Sequence, residues 1–159
     1  VGAVLGTLRN GIMGDMKRPY CEKIIAMKDG QMLPRHFHYE KTEDIINRCG
    51  GTLCVEVWNS KPESEGYAVD YESDVTVYCD GVKVTVPAGG VLKVTPGNSI
   101  TLTPYIYHRF YAEGGELIVG EVSKVNDDAK DNHFSEETHH SIEEDEPVRH
   151  LLCGGYVME

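Results

Sequence analysis

Residues 30–43 read GQMLPRHFHYEKTE and contain two histidines separated by a single residue. On a β-strand, positions two apart point to the same face, so the imidazoles of His36 and His38 should lie side by side. Glu43 can supply a third ligand once the chain turns, and Glu40 is the alternative carboxylate. The spacing predicts a strand that carries one part of a metal site.

A fourth ligand can come from His108, which lies in the strand-like segment 105–111 and could approach from across a barrel. Three imidazoles and one carboxylate suit a divalent ion such as Mn, Fe, Co, Ni or Zn. Four protein ligands on a six-coordinate ion leave two positions open, which is typical of a catalytic site. The residue types alone leave a second interpretation open, in which these histidines are only solvated or hydrogen-bonded.

The rest of the chain is dominated by short extended runs. VTVYC and VKVTV flank Asp80-Gly81, a pair that favours a type I′ hairpin turn because both central residues need positive φ. This pattern predicts an antiparallel sandwich or barrel. Further strands, separated by turns such as Pro96-Gly97 and Gly114-Gly115, are predicted at residues 20–27, 32–38, 51–57, 91–94, 98–103 and 116–122.

Helical periodicity is weak, and the best candidate is a short turn around Lys41–Asn47. Residues 59–72 are polar and are predicted to form a surface loop. The 159 residues are enough for about one domain. We expect a single all-β domain with a barrel core at about 1–122 and an acidic C-terminal segment, 123–159, that wraps the barrel.

The charge balance restricts the partners. The chain has 26 acidic and 15 basic residues, a net charge of −11, which disfavours binding to nucleic acid or to an anionic membrane surface. Its apolar runs are far shorter than the roughly 20 residues of a membrane helix, and no signal segment is evident. The five cysteines are irregularly spaced without a C-x-x-C pair, so we expect reduced thiols in a cytoplasmic protein.

The spacing of Gly30, His36, His38, Glu43 and Gly50 resembles the first motif of the cupins, small β-barrels that hold a metal in the lumen through the histidines and the glutamate. The second cupin motif is matched less fully. Its opening glycine and its histidine correspond to Gly97 and His108, whereas Thr103, Tyr105 and Ala112 stand at the usual Pro, Gly and Asn positions.

Longer blocks resemble the D-lyxose ketol-isomerase family of cupins: PRHFHYEKTEDIINRCGG at 34–51, VEVWN at 55–59, VGEVSKVNDD at 119–128, DNHF at 131–134 and EDEP at 144–147. Cys49 departs from the glycine that relatives often carry. The resemblance implies a homodimeric enzyme that interconverts D-lyxose with D-xylulose and, often, D-mannose with D-fructose. It implies a divalent metal, with manganese expected first and Zn, Fe, Co or Ni as alternatives.

Such a reaction needs a Lewis acid, a base for the proton on C2 and an acid that serves C1. Lys41 lies between two predicted ligands, where a metal cation would lower its pKa and suit it to move protons. Lys23 has the same strand parity as Ile25 and Met27, which would place a costly ammonium in the lumen. The candidate base is Glu121.

Three further residues are candidates for holding the sugar. Asp127 and His133 could bind hydroxyl groups or close the site, and Phe110 could stack on an apolar ring face. Each of them also has an ordinary structural interpretation, in a loop or in the core.

Two other functions fit a cupin metal site. One is a non-haem iron oxygenase, which would consume oxygen and would have a drier lumen. The other is a non-catalytic sugar-binding cupin, which would bind ligand without turnover. Lysines and acids in the lumen favour proton transfer, and therefore the isomerase.

Overall fold

The computed structural model describes residues 2–136, and its regular elements are β-strands apart from one 3₁₀ turn at Glu63–Glu65. The all-β prediction is therefore confirmed. No helix in this part of the chain is long and apolar enough to cross a lipid bilayer. The strands are β1 (Val4–Asn10), β2 (Tyr20–Met27), β3 (His36–His38), β4 (Glu43–Ser60), β5 (Val69–Asp70), β6 (Val75–Cys79), β7 (Val82–Val86), β8 (Gly90–Val94), β9 (Ser99–Leu102), β10 (Ile106–Lys124) and β11 (Asn132–Phe134).

Two long strands, β4 and β10, organise the fold. They pair antiparallel over nearly their whole length and bend together where the register shifts between Glu113 and Leu117. Gly50 lies opposite this bulge with φ of 100°, and a Cβ at this position would collide with the carbonyl oxygen of Glu116. Only glycine fits both the backbone conformation and the close approach.

All eleven strands form one sheet, and the bend divides its pairings into two regions. The C-terminal half of β10 and the N-terminal half of β4 lie in the path β1-β2-β10-β4-β9-β6-β7. The other halves pair with β3, β5 and β8, and β11 extends this second region beside β3. Residues of both regions, such as Ile25, Val119, Val55 and Phe110, share one buried hydrophobic cluster, as in a cupin-type barrel.

Some local predictions were wrong. The segment around Lys41–Asn47 is not helical, because β4 begins at Glu43 and its burial alternates with period two. Cross-strand pairing with β9 and β10 outweighs the weak helical pattern there. Gly114-Gly115 does not separate two strands but lies in the bulge inside β10, and the edge strand β1 was not predicted.

The predicted wrapping segment is only partly described. After β10, the chain returns as β11, whose residues pair with β3 beside His36 and His38. Residues 137–159, which include the EDEP block and Cys153, lie outside the described residues. The division into a barrel core at 1–122 and a wrapping segment stays a prediction.

Candidate functional site

Strands β3 and β10 bring the three predicted histidines together. His36 is the direct cross-strand partner of His108, and His38 is two residues further along β3 on the same face. The potential ligand atoms of all three lie within 4.8 Å of one another. His38 and His108 are buried, so the group is shielded from bulk water.

Backbone carbonyl groups orient two of these rings. Nδ1 of His36 lies 2.8 Å from the carbonyl oxygen of Pro34, and Nδ1 of His108 lies 3.0 Å from that of Ile106. Because a carbonyl only accepts, each Nδ1 donates, and Nε2 of the neutral ring keeps its lone pair. Burial, and then the neighbouring rings of His108 and His38, hold the pKa of His36 well below its ordinary value, so its ring is neutral.

Glu43, the first residue of β4, closes the group. Its Oε1 lies 3.1 Å from Nε2 of His108, and its Oε2 lies 3.3 Å from Nε2 of His38. Burial alone would raise the pKa of Glu43, but the Lys41 ammonium and the His38 ring outweigh it and hold this pKa well below its usual range. Glu40, the alternative ligand, is exposed.

This donor set fits a divalent metal. Among the described residues, the buried Nε2 atoms of His38 and His108 have no hydrogen-bond partner. The bare Nε2 of His108 faces an ionised carboxylate, an arrangement that a cation between them would stabilise. The three imidazoles and this carboxylate would together hold a divalent ion, which would satisfy these buried nitrogen atoms.

A second, charged cluster lies next to this group. Lys23 of β2, Lys41 of the β3–β4 loop and Glu121 of β10 are all buried. The Nζ atoms of Lys23 and Lys41 lie 3.1 and 3.0 Å from the same oxygen, Oε1 of Glu121. Nζ of Lys41 also lies 3.1 Å from Oε2 of Glu43, which joins the two clusters.

The predicted inward face of β2 is observed, because Lys23 shares its buried face with Ile25 and Met27. Lys41 has more charged neighbours than the sequence suggested. Burial alone would lower the pKa of Lys41, but the carboxylates of Glu43 and Glu121 raise it above its ordinary value. These carboxylates act in the opposite direction to the metal cation considered from the sequence.

Two residues that complete this region were not singled out from the sequence. Asn126 accepts hydrogen bonds at Oδ1 from Nζ of Lys23 (2.7 Å) and of Lys41 (3.2 Å). Asp131 accepts hydrogen bonds from the backbone N–H groups of Glu40 (2.7 Å) and Lys41 (3.1 Å), and so fixes the loop between β3 and β4. The hydrogen bonds of both residues link distant parts of the chain, so no local sequence pattern predicts them.

The three predicted sugar-binding residues lie in different surroundings. His133 pairs with Phe37 and stacks on its ring at 4.8 Å, on the opposite face of the β3–β11 pair from His36 and His38. Phe110 is 2 % exposed within the main hydrophobic cluster. The backbone carbonyl of Asp127 accepts hydrogen bonds in a turn. Their contacts with a sugar stay predictions.

Asn132 and Phe134 share the histidine face instead. They pair with His38 and His36, and the Phe134 ring lies 5.2 Å from that of His36. Strand parity within the DNHF block could have indicated them, because neighbours of His133 on a strand point away from it.

A cavity of about 320 Å³ borders β11, lined by Arg35, Tyr67, Tyr71, Tyr107, His133 and Phe134 among others. Neither Glu43 nor any of the three clustered histidines lines it. This cavity therefore lies next to the histidine group rather than around it.

Comparison with known proteins places the chain in a family. A family model described as D-lyxose isomerase matches residues 1–156. The protein named D-lyxose/D-mannose isomerase from Escherichia coli O157:H7 is 46 % identical over 161 residues, which cover 98 % of this chain and 69 % of that protein.

Solved structures agree in fold. The L-ribose isomerase of Geodermatophilus obscurus superposes with a TM-score of 0.60 at 18 % identity, covering 83 % of this chain and 68 % of that one. A cupin 2 domain-containing protein from Halorhodospira halophila gives a TM-score of 0.52 at 15 % identity, covering 82 % and 68 % of the two chains. With its cupin-type barrel and its match over nearly the full length, the chain belongs to the D-lyxose isomerase family.

Proposed function

We propose that the chain is a metal-dependent aldose–ketose isomerase that interconverts D-lyxose with D-xylulose and D-mannose with D-fructose. The observation that carries this proposal is the contact between Glu43 of the histidine group and Lys41 of the buried charged cluster, 3.1 Å apart. A site for a Lewis acid and a set of proton-carrying groups thus adjoin each other. The name of the Escherichia coli relative supports the choice of substrates.

His36, His38, His108 and Glu43 would hold the metal, and we propose manganese as the ion. Neutral imidazoles and a carboxylate are ligands that Mn²⁺ accepts, although Zn, Fe, Co and Ni accept them too. When bound, a divalent cation supplies a Lewis acid that stabilises negative charge on substrate oxygens.

The buried charged cluster would carry the protons. Glu121 would accept the proton from C2 of the sugar and return it to C1, so that the isomerisation is balanced without any other reactant. Lys23 and Lys41, both within 3.1 Å of its Oε1, would stabilise its ionised form. Hydroxyl protons would move through the same ammonium groups.

Substrate contacts would come from the face that carries the histidines. Asn132 and Phe134 lie on this face and offer an amide and an aromatic ring to a sugar. Asp127 remains a proposed partner for a hydroxyl group. Because a sugar is neutral, the acidic net charge of the chain does not oppose its binding.

We also propose a cytoplasmic homodimer that binds neither nucleic acid nor membrane. Support for the compartment comes from Cys49, Cys54 and Cys79, which form no disulfide within the described part of the chain. Support for the dimer comes from the edge strand β1 and the residues after it, where Val4, Leu8, Met13 and Met16 are exposed. Sedimentation or light scattering would measure the oligomeric state.

The direct test is to incubate chelator-treated protein with Mn²⁺ and a panel of aldoses and to measure ketose. We expect ketose from D-lyxose and D-mannose only when metal is restored. Oxygen consumption with the same sugars would indicate an oxygenase, and tight binding without turnover would indicate a binding protein. Either result would contradict the proposal.

A further inference from the structure

One side-chain oxygen joins the two buried lysines. Oδ1 of Asn126 lies 2.7 Å from Nζ of Lys23 and 3.2 Å from Nζ of Lys41. Both ammonium groups also contact a single oxygen of Glu121, at 3.1 and 3.0 Å. The two Nζ atoms and the two oxygens therefore alternate around a closed ring of four contacts, in which the Asn126 amide lies opposite the Glu121 carboxylate.

The second acceptor matters because two like charges are held close together. Each ammonium carries three N–H groups and must satisfy them inside the barrel. Lys41 has three acceptors near Nζ: Glu43 at 3.1 Å, Glu121 at 3.0 Å and Asn126 at 3.2 Å. All of its donors are therefore engaged, and without Asn126 one of them would lose its partner.

Lys23 is held less completely. Its Nζ contacts Asn126 and Glu121 closely, but Oδ1 of Asp128 lies at 3.9 Å, which is too long for a hydrogen bond. One N–H group of Lys23 therefore has no short acceptor among the described residues. The amide thus fixes both lysines and leaves Lys23 with a donor available for a substrate hydroxyl.

Asn126 is itself held through its backbone. It is 6 % exposed, its backbone N–H donates to Oδ1 of Asn10 (3.0 Å), and Nδ2 of Asn10 donates to its carbonyl oxygen (3.1 Å). This reciprocal pair anchors the residue to the end of β1. A neutral amide also accepts from the lysines without adding a negative charge to Glu43, Glu121 and Asp128.

We propose that Asn126 is a positioning residue of the isomerase, whose amide oxygen holds Lys23 and Lys41 on Glu121. This inference rests on the proposed function. The carboxylate that moves the proton would otherwise face two ammonium groups free to separate, and misplacement of a reacting group by about 1 Å can cost about 100-fold in rate.

The test compares Asn126→Leu, which removes the acceptor, with Asn126→Asp, which keeps an oxygen there. The matched control is Asn47→Leu, because Asn47 is also buried but its side chain donates to the carbonyl oxygens of Gly51 and Val94, both at 2.9 Å, and not to a lysine. For Asn126→Leu we expect kcat to fall about 10- to 100-fold with KM and bound Mn²⁺ nearly unchanged. Asn126→Asp and Asn47→Leu should keep most of kcat.

Equal kcat in Asn126→Leu and Asn47→Leu would overturn the proposal, as would an Asn126→Asp variant as slow as the leucine variant. If leucine prevents folding, Asn126→Ser, which withdraws the oxygen from the lysines, carries the same expectation.

A second readout separates this inference from the proposed activity. Competitive acetylation of the metal-free protein, followed by mass spectrometry, measures how accessible each lysine is. In Asn126→Leu, Lys23 and Lys41 should be acetylated several-fold faster than in the unaltered protein, relative to the exposed Lys28, and in Asn47→Leu they should not. Failure to make ketose would refute the isomerase, whereas unchanged acetylation would refute the role of Asn126.

Discussion

Lys23 and Glu121 are direct cross-strand partners in β2 and β10, and Nζ of the lysine lies 3.1 Å from Oε1 of the glutamate. Such a pair is costly to bury, because each charge gives up its hydration. Their placement on the inner face, near the proposed ligand Glu43, is therefore better explained by chemistry than by stability.

The first prediction concerns the charge of Glu121. Glu121→Gln leaves Lys23 and Lys41 with less compensation, so the free energy of unfolding should fall by about 3 kcal/mol. Isomerase activity should fall about 100-fold or more, because the proposed base is lost. Urea unfolding and ketose formation measure the two effects. Glu116→Gln, at an exposed position of the same strand, should change neither, and equal effects of the two variants would contradict the assignment.

The second prediction concerns the metal ligands. His108→Ala removes an Nε2 that faces Glu43, so bound metal and activity should both be lost. His36→Ala and His38→Ala should behave in the same way. Elemental analysis of the purified variants measures the metal. His133→Ala is the control, because His133 lies on the opposite face and should leave metal content unchanged. Stoichiometric metal in the three ligand variants would refute the site.

The third prediction concerns Lys41. Lys41→Met keeps an apolar side chain of similar length but removes the ammonium between Glu43 and Glu121. Metal should stay bound, whereas turnover should slow about 100-fold, the usual scale for a proton-transfer group. Lys28→Met removes the same charge from an exposed position and should retain full activity. An unchanged rate in Lys41→Met would remove this lysine from the mechanism.

The fourth prediction concerns acid stability. Burial alone would raise the pKa of Asp128, but the Lys23 ammonium and hydrogen bonds lower it below its ordinary value of 3.8. A lowered folded-state pKa contributes stability that is fully present above pH 3.8 and is lost as the pH falls through the folded value. Asp128→Asn should therefore be less stable at neutral pH, by about 1 kcal/mol or less, since the side chain is partly exposed.

Unfolding curves at neutral and acidic pH check this expectation. The difference between the unaltered protein and Asp128→Asn should shrink as the pH falls below the ordinary aspartate range. A difference that stays constant with pH would show that the carboxylate contributes no charge-dependent stability.

The sequence predicted those parts of the site that lie on a regular strand. The parity of His36 and His38, and of Lys23 with Ile25 and Met27, follows from the two-residue period of a strand, and both were placed correctly. Glu43 and His108, which approach from other strands, were candidates from their residue types and positions, and the cupin-like spacing supported both.

The parts that were missed depend on how the chain returns to the barrel. Asn126 and Asp131 reach their partners only after β10 has crossed the molecule, so their neighbours in sequence carry no signal. The face on which His133 lies could not be predicted, because its strand, β11, was not recognised and its parity was therefore unknown. The prediction of a helical turn at Lys41–Asn47 was wrong because pairing of this segment with β9 and β10 outweighs its local helical propensity.

The last prediction tests how hydrogen moves between C2 and C1. If Glu121 accepts the proton, the resulting carboxyl group lies against the ammonium groups of Lys23 and Lys41, which together carry six exchangeable hydrogens. In D₂O these positions hold deuterium before the substrate arrives. The abstracted proton should therefore be diluted, and most ketose molecules should carry deuterium at C1, as NMR or mass spectrometry of the product can measure.

A direct hydride shift gives the opposite outcome, because the hydrogen on C2 then moves to C1 without contacting any side chain. Ketose that forms in D₂O with no deuterium at C1 would exclude Glu121 as the base. Ketose incubated in D₂O with the His108→Ala protein, which should hold no metal, controls for exchange that the enzyme does not cause. Lys41→Met should lower the rate and, by removing three of the six exchangeable hydrogens, also lower the deuterium content of the product, a coupling that only the proton-transfer route predicts.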